Sequence, residues 1–325
     1  MTPLSLSRVV ATVVVTAFFA VGAQAQVYPD RPIRLIVPQA PGSATDVFVR
    51  LLTPKWGELL GQSIVVDNRP GAGAIIGTEA VAKAAPDGYT ILFGGSQTHA
   101  INKSLYSKLS YDPIADFTPV GRIGAQAMLL VTSTAIPVKS VPELLAYARN
   151  ASAGINYASS GNGSSAHLGG ALLNAETGLK AQHVPYRAVA QGLTDLLSGQ
   201  ITMMFYPYSA LQGHIQAGKL NVLAVASEKR TSYLPQVPTT AEAGYPNILL
   251  TAWFAVYAPA GTPRKIVDTL YAALEKAVND PEISRRMAGT GTDVYLAGPD
   301  EMARFGPSEI ARYKRIIQLA GATAD

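Results

Sequence analysis

The sequence predicts an α/β protein built as two doubly wound lobes, and three observations carry that expectation. Apolar, β-branched runs alternate with helical patterns from Ile33 almost to the C-terminus, the rhythm of βαβ units around a parallel sheet. Four of the strand-to-helix turns are rich in Gly and small hydroxyl residues, at the sheet end where ligands bind. The helices at the C-terminus have too few strands to build a sheet of their own. They are expected to return to the first lobe and make it discontinuous.

The N-terminus comes first. Residues 1–8 carry one positive charge, residues 9–22 are apolar apart from Thr12, Thr16 and Gly22, and Ala23-Gln24-Ala25 gives a small-x-small cleavage pattern. This is a secretory signal peptide. Its apolar run of roughly 14 residues is short of the ~20 that a bilayer span requires. No Cys follows the cleavage point, so a lipid anchor there is excluded. The chain is expected to be exported, cut after Ala25 and released into the periplasm.

Strand 33–38 opens the first set and leads into a helix from about Asp46, which Pro54 is expected to kink. Strand 64–67, a helix through 78–83 and strand 89–93 follow. A second set starts at strand 127–131. It continues with helix 141–151, strand 155–158, helix 164–177, a strand into Val184, helix 188–197, strand 201–206, helix 210–217 and strand 222–226. A turn-rich stretch over 231–247 holds Pro235, Pro238 and Pro246. Strand 253–257 is followed mostly by helix, over 263–279, 281–289 and 299–320, each opening on a Pro where the missing N–H costs nothing. The first lobe is therefore expected to comprise 26–126 plus 246–325, and the inserted second lobe 127–245. Crossing segments near 121–126 and 244–251 would form the hinge.

Composition removes several function classes. The 325 residues hold 26 Lys+Arg against 22 Asp+Glu, for a net charge of +4. No cationic run stands out, so neither nucleic acid nor a membrane surface is an expected partner. With no Cys there is no disulfide framework, thiolate nucleophile or Cys-ligated metal. His99, His167, His183 and His214 lack metal-ligand spacing. Gly71-Ala-Gly73-Ala-Ile-Ile-Gly77 has one residue too many for a dinucleotide fingerprint, and no Gly-Lys-Ser/Thr P-loop exists. Gly94-Gly-Ser96-Gln-Thr98 fails as a nucleophile elbow at its last position. Neither an enzyme nor a cofactor is expected.

The four small-residue loops are Gln39-Ala-Pro-Gly-Ser-Ala-Thr-Asp46, Pro70-Gly-Ala-Gly-Ala-Ile-Ile-Gly77, Gly94-Gly-Ser-Gln-Thr-His99 and Ser159-Ser-Gly-Asn-Gly-Ser-Ser-Ala-His167. None contains Lys or Arg. Backbone N–H groups at helix starts, joined by hydroxyls, suit an anion such as a carboxylate that must bind and later leave. Taken singly, each loop is better read as an ordinary turn in which Asp46 or Ser164 caps a helix. Four of them, in two lobes that can face each other, argue for a cleft. His183 and His214 read as structural, whereas His99 and His167 stay open between structural and pocket roles.

A set of motifs in order along the chain carries a resemblance. Tyr28-Pro-Asp-Arg-Pro-Ile-Arg34, Ala40-Pro-Gly-Ser-Ala-Thr-Asp46, Asn68-Arg-Pro-Gly-Ala-Gly73, Ala85-Pro-Asp-Gly-Tyr-Thr90, His183-Val-Pro-Tyr186 and Ala258-Pro-Ala-Gly-Thr-Pro263 together resemble the Bug family, the extracytoplasmic receptors of tripartite tricarboxylate transporters. The resemblance implies a periplasmic-binding-protein fold of type II, two lobes joined by two crossing strands around a cleft. It also implies first-lobe ligand contacts at Ala40, Gly42, Ser43, Asp46, Ser96 and Thr98. Second-lobe contacts are implied at Ser160, Gly163, Ser164, Ser165, His167, Tyr186 and Tyr206.

The chain departs from the family pattern at Gln39, where an apolar residue is usual, and at Ser43, usually Gly. Tyr206 stands where an Asp is common, and Arg187-Ala188 replaces a Lys-Gly pair. Gln39 and Arg187 are therefore added to the candidate contacts. The Tyr206 change suggests an aromatic or dicarboxylate ligand, with a ring stacking on Tyr206 or Tyr208. The implied function is capture of a small organic carboxylate by lobe closure, in a monomer that delivers it to membrane permease subunits. The alternative is a sensory co-receptor that presents the loaded ligand to a sensor kinase.

Overall fold

The computed structural model describes residues 28–152, 154–186 and 189–323. The signal-peptide expectation for 1–25 and the candidate Arg187 lie outside the described residues.

The first lobe begins with β1 (Ile33–Val37), four of whose five residues are buried, as a strand covered on both faces requires. α1 (Ala44–Leu60) starts at the Ser43 cap, runs on through Pro54 and stops at Gly61, whose φ of 70° is the left-handed end a helix favours. β2 (Ile64–Asn68), α2 (Ile75–Ala82) and β3 (Thr90–Gly95) complete the unit, with β2 and β3 parallel to β1 on either side. A π-helical turn (Gln97–Ile101) and α3 (Asn102–Leu105) follow.

β4 (Phe117–Ser133), 17 residues long, is the spine of the molecule. Beyond it come α4 (Val141–Asn150), β5 (Asn156–Ser159), α5 (Ser165–Thr177), β6 (Gln182–Pro185), α6 (Val189–Leu197), β7 (Met203–Pro207), α7 (Tyr208–Gln216) and β8 (Leu220–Val225). The chain returns in β9 (Thr251–Pro259) and ends with α8 (Arg264–Val278), α9 (Pro281–Gly289), β10 (Asp293–Ala297) and α10 (Pro299–Ala320).

The early part of β4 pairs antiparallel with β9 and β10, and its later part with β7 and β8. One strand thus belongs to both lobes. The first sheet runs β2-β1-β3-β9-β4-β10 and the second β8-β4-β7-β5-β6. The return crossing is fixed by Met128 N–H donating to Leu250 O (3.0 Å) and Leu250 N–H donating to Ala226 O (2.8 Å).

Two features depart from the sequence reading. β10 occupies the gap left between the last two helices; with only Ala297 of its five residues fully buried, it has the weak alternation of an edge strand. The C-terminal helices also divide their packing. α8 joins α1 in a core around Trp56, Leu270 and Leu274, with Trp56 Nε1 donating to Leu270 O at 3.1 Å. α10 instead packs on the π-helical turn of the first lobe and on α5 of the second, sharing one apolar cluster with Leu168 and Leu172. Its apolar face is wide enough to serve both lobes, which the expectation of a return to the first lobe alone did not include. Among the described residues, no helix is long and apolar enough to cross a membrane.

Candidate ligand-binding cleft

A cavity of about 360 Å³ opens where the strands of the first sheet end, and residues from all four small-residue loops line it. Gln39 and Thr45 come from the turn after β1, Gly73 and Ala74 from the turn after β2, and Gly94 to Thr98 from the turn after β3. Ser165 enters from the second lobe, at the first turn of α5. Ala252, Trp253 and Phe254 of β9 close the hinge side. No lining residue is charged, so an anion here would rest on hydroxyls, amides and backbone N–H groups.

The turn after β1 is built around Asp46. Ser43 caps α1 by accepting from Asp46 N–H (3.2 Å), while Asp46 reaches back to accept from Gly42 N–H (2.9 Å). Arg50 Nε (3.0 Å) and Asn68 Nδ2 (2.9 Å) donate to the same carboxylate. The Arg50 bond, aided by Gly42 and Asn68, holds the carboxyl below the usual range against the opposing effect of burial. Gly42 sits at φ 76°, a left-handed position that a side chain strains. Asp46 therefore shapes the turn instead of facing the cavity. Gln39 does line it, and its buried Oε1 has no hydrogen-bond partner among the described residues. An unpaired buried amide oxygen costs on the order of 1–3 kcal/mol.

The turn after β3 is just as closely tied. Gly95 N–H donates to Thr98 Oγ1 (3.0 Å), which meets His99 Nδ1 at 2.8 Å, and Tyr111 OH donates to Thr98 O (2.7 Å). His99 stacks on Tyr257 at 3.6 Å, and burial pushes its pKa down to about 3. It is a neutral core histidine. A Cβ on Gly95 would lie 2.1 Å from Trp253 O, so glycine lets β3 approach β9 at the cavity floor. In the turn after β2, Ala72 and Ala74 join Gly73 at positive φ, and Asn102 Nδ2 holds Gly73 O at 2.9 Å.

In the second lobe the structure separates the candidates. Ser164 caps α5 by accepting from His167 N–H (3.3 Å), and His167 Nδ1 accepts from Gly163 N–H (3.1 Å). The His167 ring stacks on His183 at 4.0 Å, and His183 Nε2 meets Ser159 Oγ at 2.6 Å. Burial lowers both histidines, and His183, with His167 beside it, falls to about 4. Ser160 is exposed. Tyr186 OH donates to Asp195 Oδ2 (2.7 Å), and burial followed by that carboxylate pushes it up to about 12.

The structure thus brings Gln39, Ser96, Thr98 and Ser165 to one cavity. It leaves Ala40, Gly42, Ser43, Asp46, Ser160, Gly163, Ser164, His167, Tyr186 and Tyr206 outside the wall. Tyr208 packs on Tyr233 (4.6 Å) in the second lobe's core, so it is not the expected stacking platform; the rings at the cavity are Phe93, Trp253 and Phe254. Sequence reasoning missed Pro38, Phe93 and the β9 segment, and inside the quoted loops it passed over Thr45, Gly73, Ala74, Gly94, Gly95 and Gln97. Thr45 sits inside a quoted loop, but nothing local marks a crossing strand as cavity floor. Among the described residues no group of His, Asp and Glu could hold a metal ion.

The model of the tripartite tricarboxylate transporter family receptor matches residues 48–322. The chain belongs to that family. BugT of Bordetella pertussis is 36% identical over 98% of this chain and 98% of its own. Among solved structures, R. palustris Rpa4515 with adipate is 35% identical at a TM-score of 0.79, over 91% of this chain and 99% of that one. MatC from Rhodopseudomonas palustris with bound malate is 32% identical at a TM-score of 0.74, over 89% and 100%. The family consists of solute-binding proteins, and the two-lobed α/β fold of this receptor matches theirs.

Proposed function

We propose that this receptor captures a small organic dicarboxylate in the periplasm by closing its two lobes, and delivers it to a tripartite tricarboxylate-type permease. The observation that carries the reading is the uncharged wall of the 360 Å³ cavity, with donors from four loops of two lobes. A carboxylate held by neutral, prearranged donors binds without a buried countercharge whose own desolvation would be costly. Gln39 adds an amide that a second polar group of the ligand can engage. The adipate and malate of the two relatives are dicarboxylates of this kind.

The lobes are taken as 26–126 plus 246–325 and 127–245, hinged where β4 passes between them and where the chain returns before β9. Closure follows from differential contact, because Ser165 approaches the other donors only when the lobes meet. A thermal-shift screen of aliphatic and aromatic mono- and dicarboxylates tests the reading, since a ligand of the native state raises the melting temperature. Stabilisation by a dicarboxylate that disappears in Ser96→Leu is the expected result. Stabilisation by cations or sugars alone would overturn it.

A further inference from the structure

β9 has two faces, and α10 holds the one turned away from the cleft. Behind that face lies a second cavity of about 330 Å³, bordered by Thr251 and Trp253 from β9 and by Phe305, Glu309 and Arg312 from α10. Ala252 and Phe254 face the cleft instead, as alternation along a strand dictates. Trp253 borders both cavities. Whatever fixes Trp253 therefore fixes part of the cleft wall.

α10 grips the return crossing at alternate residues. Arg312 Nη1 donates to Leu249 O (2.8 Å), Tyr313 OH to Thr251 O (2.9 Å), and Trp253 Nε1 to Glu309 Oε2 (2.8 Å). Positions 309, 312 and 313 share one face of a helix, and 249, 251 and 253 one side of an extended chain, so the two sets meet in register. Glu309 is buried, and Arg312 neutralises it through two bonds of 2.7 Å. That fork fixes the plane of the carboxylate and leaves Oε2 aimed at the indole N–H. Phe305 adds an edge-on ring contact to Trp253 at 5.2 Å. The helix reaches the cleft wall a second time, because the buried Tyr313 hydroxyl has Ser96 as a hydrogen-bond partner. Neither Glu309 nor Tyr313 lines the cleft itself.

We infer that Glu309 is a positioning residue for the cleft: without touching the ligand, it holds Trp253 in the arrangement that binds it. The inference rests on the proposed function only in taking the cleft as the binding site. A buried indole N–H that loses its acceptor turns to find another. When the held arrangement falls to about a tenth of the molecules, apparent affinity falls by the same factor.

The test uses the mature protein labelled with fluorotryptophan. Its fluorine signals report Trp253 and Trp56, the latter in the first-lobe core, and Trp253→Phe assigns them. With no ligand present, Glu309→Leu is expected to shift or split the Trp253 signal and to leave that of Trp56 in place. Glu309→Gln keeps an acceptor oxygen and is expected to restore the single Trp253 signal. Glu309→Leu combined with Arg312→Leu removes the pair without stranding a buried charge, and gives the same readout if the single variant fails to fold. Adipate is the binding probe. Calorimetry is expected to show its Kd raised about tenfold in Glu309→Leu and within about threefold of wild type in Glu309→Gln. A Trp253 signal that stays in place, a Trp56 signal that moves as far, or a displaced Trp253 with adipate affinity unchanged would each overturn the inference. A wild type that ignores adipate would count against the dicarboxylate reading alone, and the fluorine signals would still decide this one.

Discussion

The turns that open α1 and α5 are the same device made from different chemistry. In each, a Gly at φ near 75° precedes a Ser cap, and the side chain three residues beyond the cap reaches back to the Gly N–H. Asp46 does this in the first lobe and His167 in the second. Asp46 is a buried anion satisfied by three donor groups, Gly42 N–H, Arg50 and Asn68, so the turn is locked by charge-assisted bonds. His167 is a neutral ring held by one backbone bond and by stacking on His183. The same backbone path is thus held by charged groups in the first lobe and by neutral ones in the second, beside Ser165.

The largest effect that would break this contrast is at Asp46. Asp46→Ala leaves Gly42 N–H, Arg50 and Asn68 without their acceptor and should cost about 2–3 kcal/mol in urea unfolding, in the range for bonds to charged groups. His167→Ala should cost clearly less, about 1 kcal/mol, for one neutral bond. Equal costs would remove the asymmetry.

Acid should separate Asp46 from the His167–His183 stack next. His183, at about 4 in the folded chain, is depressed below the ~6.5 of an unfolded histidine. Its contribution is present above 6.5 and drains away as pH falls through about 4. Asp46 is also depressed, but from the carboxylate value, so its contribution is lost only below about 3.9. His99, at about 3, adds to the upper window from the first lobe. The comparison that matters is therefore wild type against His183→Gln: between pH 6.5 and 4 the melting temperature of the variant should fall less steeply. A parallel fall would show that the His167–His183 stack does not set the acid response.

The smallest effects sharpen the shared part of the device. Ser43→Ala and Ser164→Ala each remove one cap and should cost about 1 kcal/mol, nearly equally. Gly42→Ala meets no atom within 4 Å and should cost about 1 kcal/mol from backbone strain alone. Thermal melts of the three variants check both values.

Much of this was legible before any coordinates. Alternating apolar runs fix strands and helices because period and burial are local properties of a sequence. The Ser164 cap was readable for the same reason, as were the four loops that reach the cavity, whereas in the first lobe the reading named Asp46 and the cap is Ser43. The division of labour inside those loops was not. Whether Asp46 binds ligand or ties a turn depends on Arg50 and Asn68 arriving from four and twenty-two residues away.

The sequence by itself determined an α/β chain, the order of its elements, the lack of Lys and Arg in the small-residue loops and the absence of any thiol. All of these are set by residue type and near-neighbour spacing. Only the tertiary structure decided that β4 belongs to both lobes, that α10 packs on both, that β10 completes an edge, and that β9 floors one cavity while its other face floors a second. Those outcomes depend on which distant surfaces find each other to bury apolar area and satisfy backbone groups, a choice made by the whole chain at once.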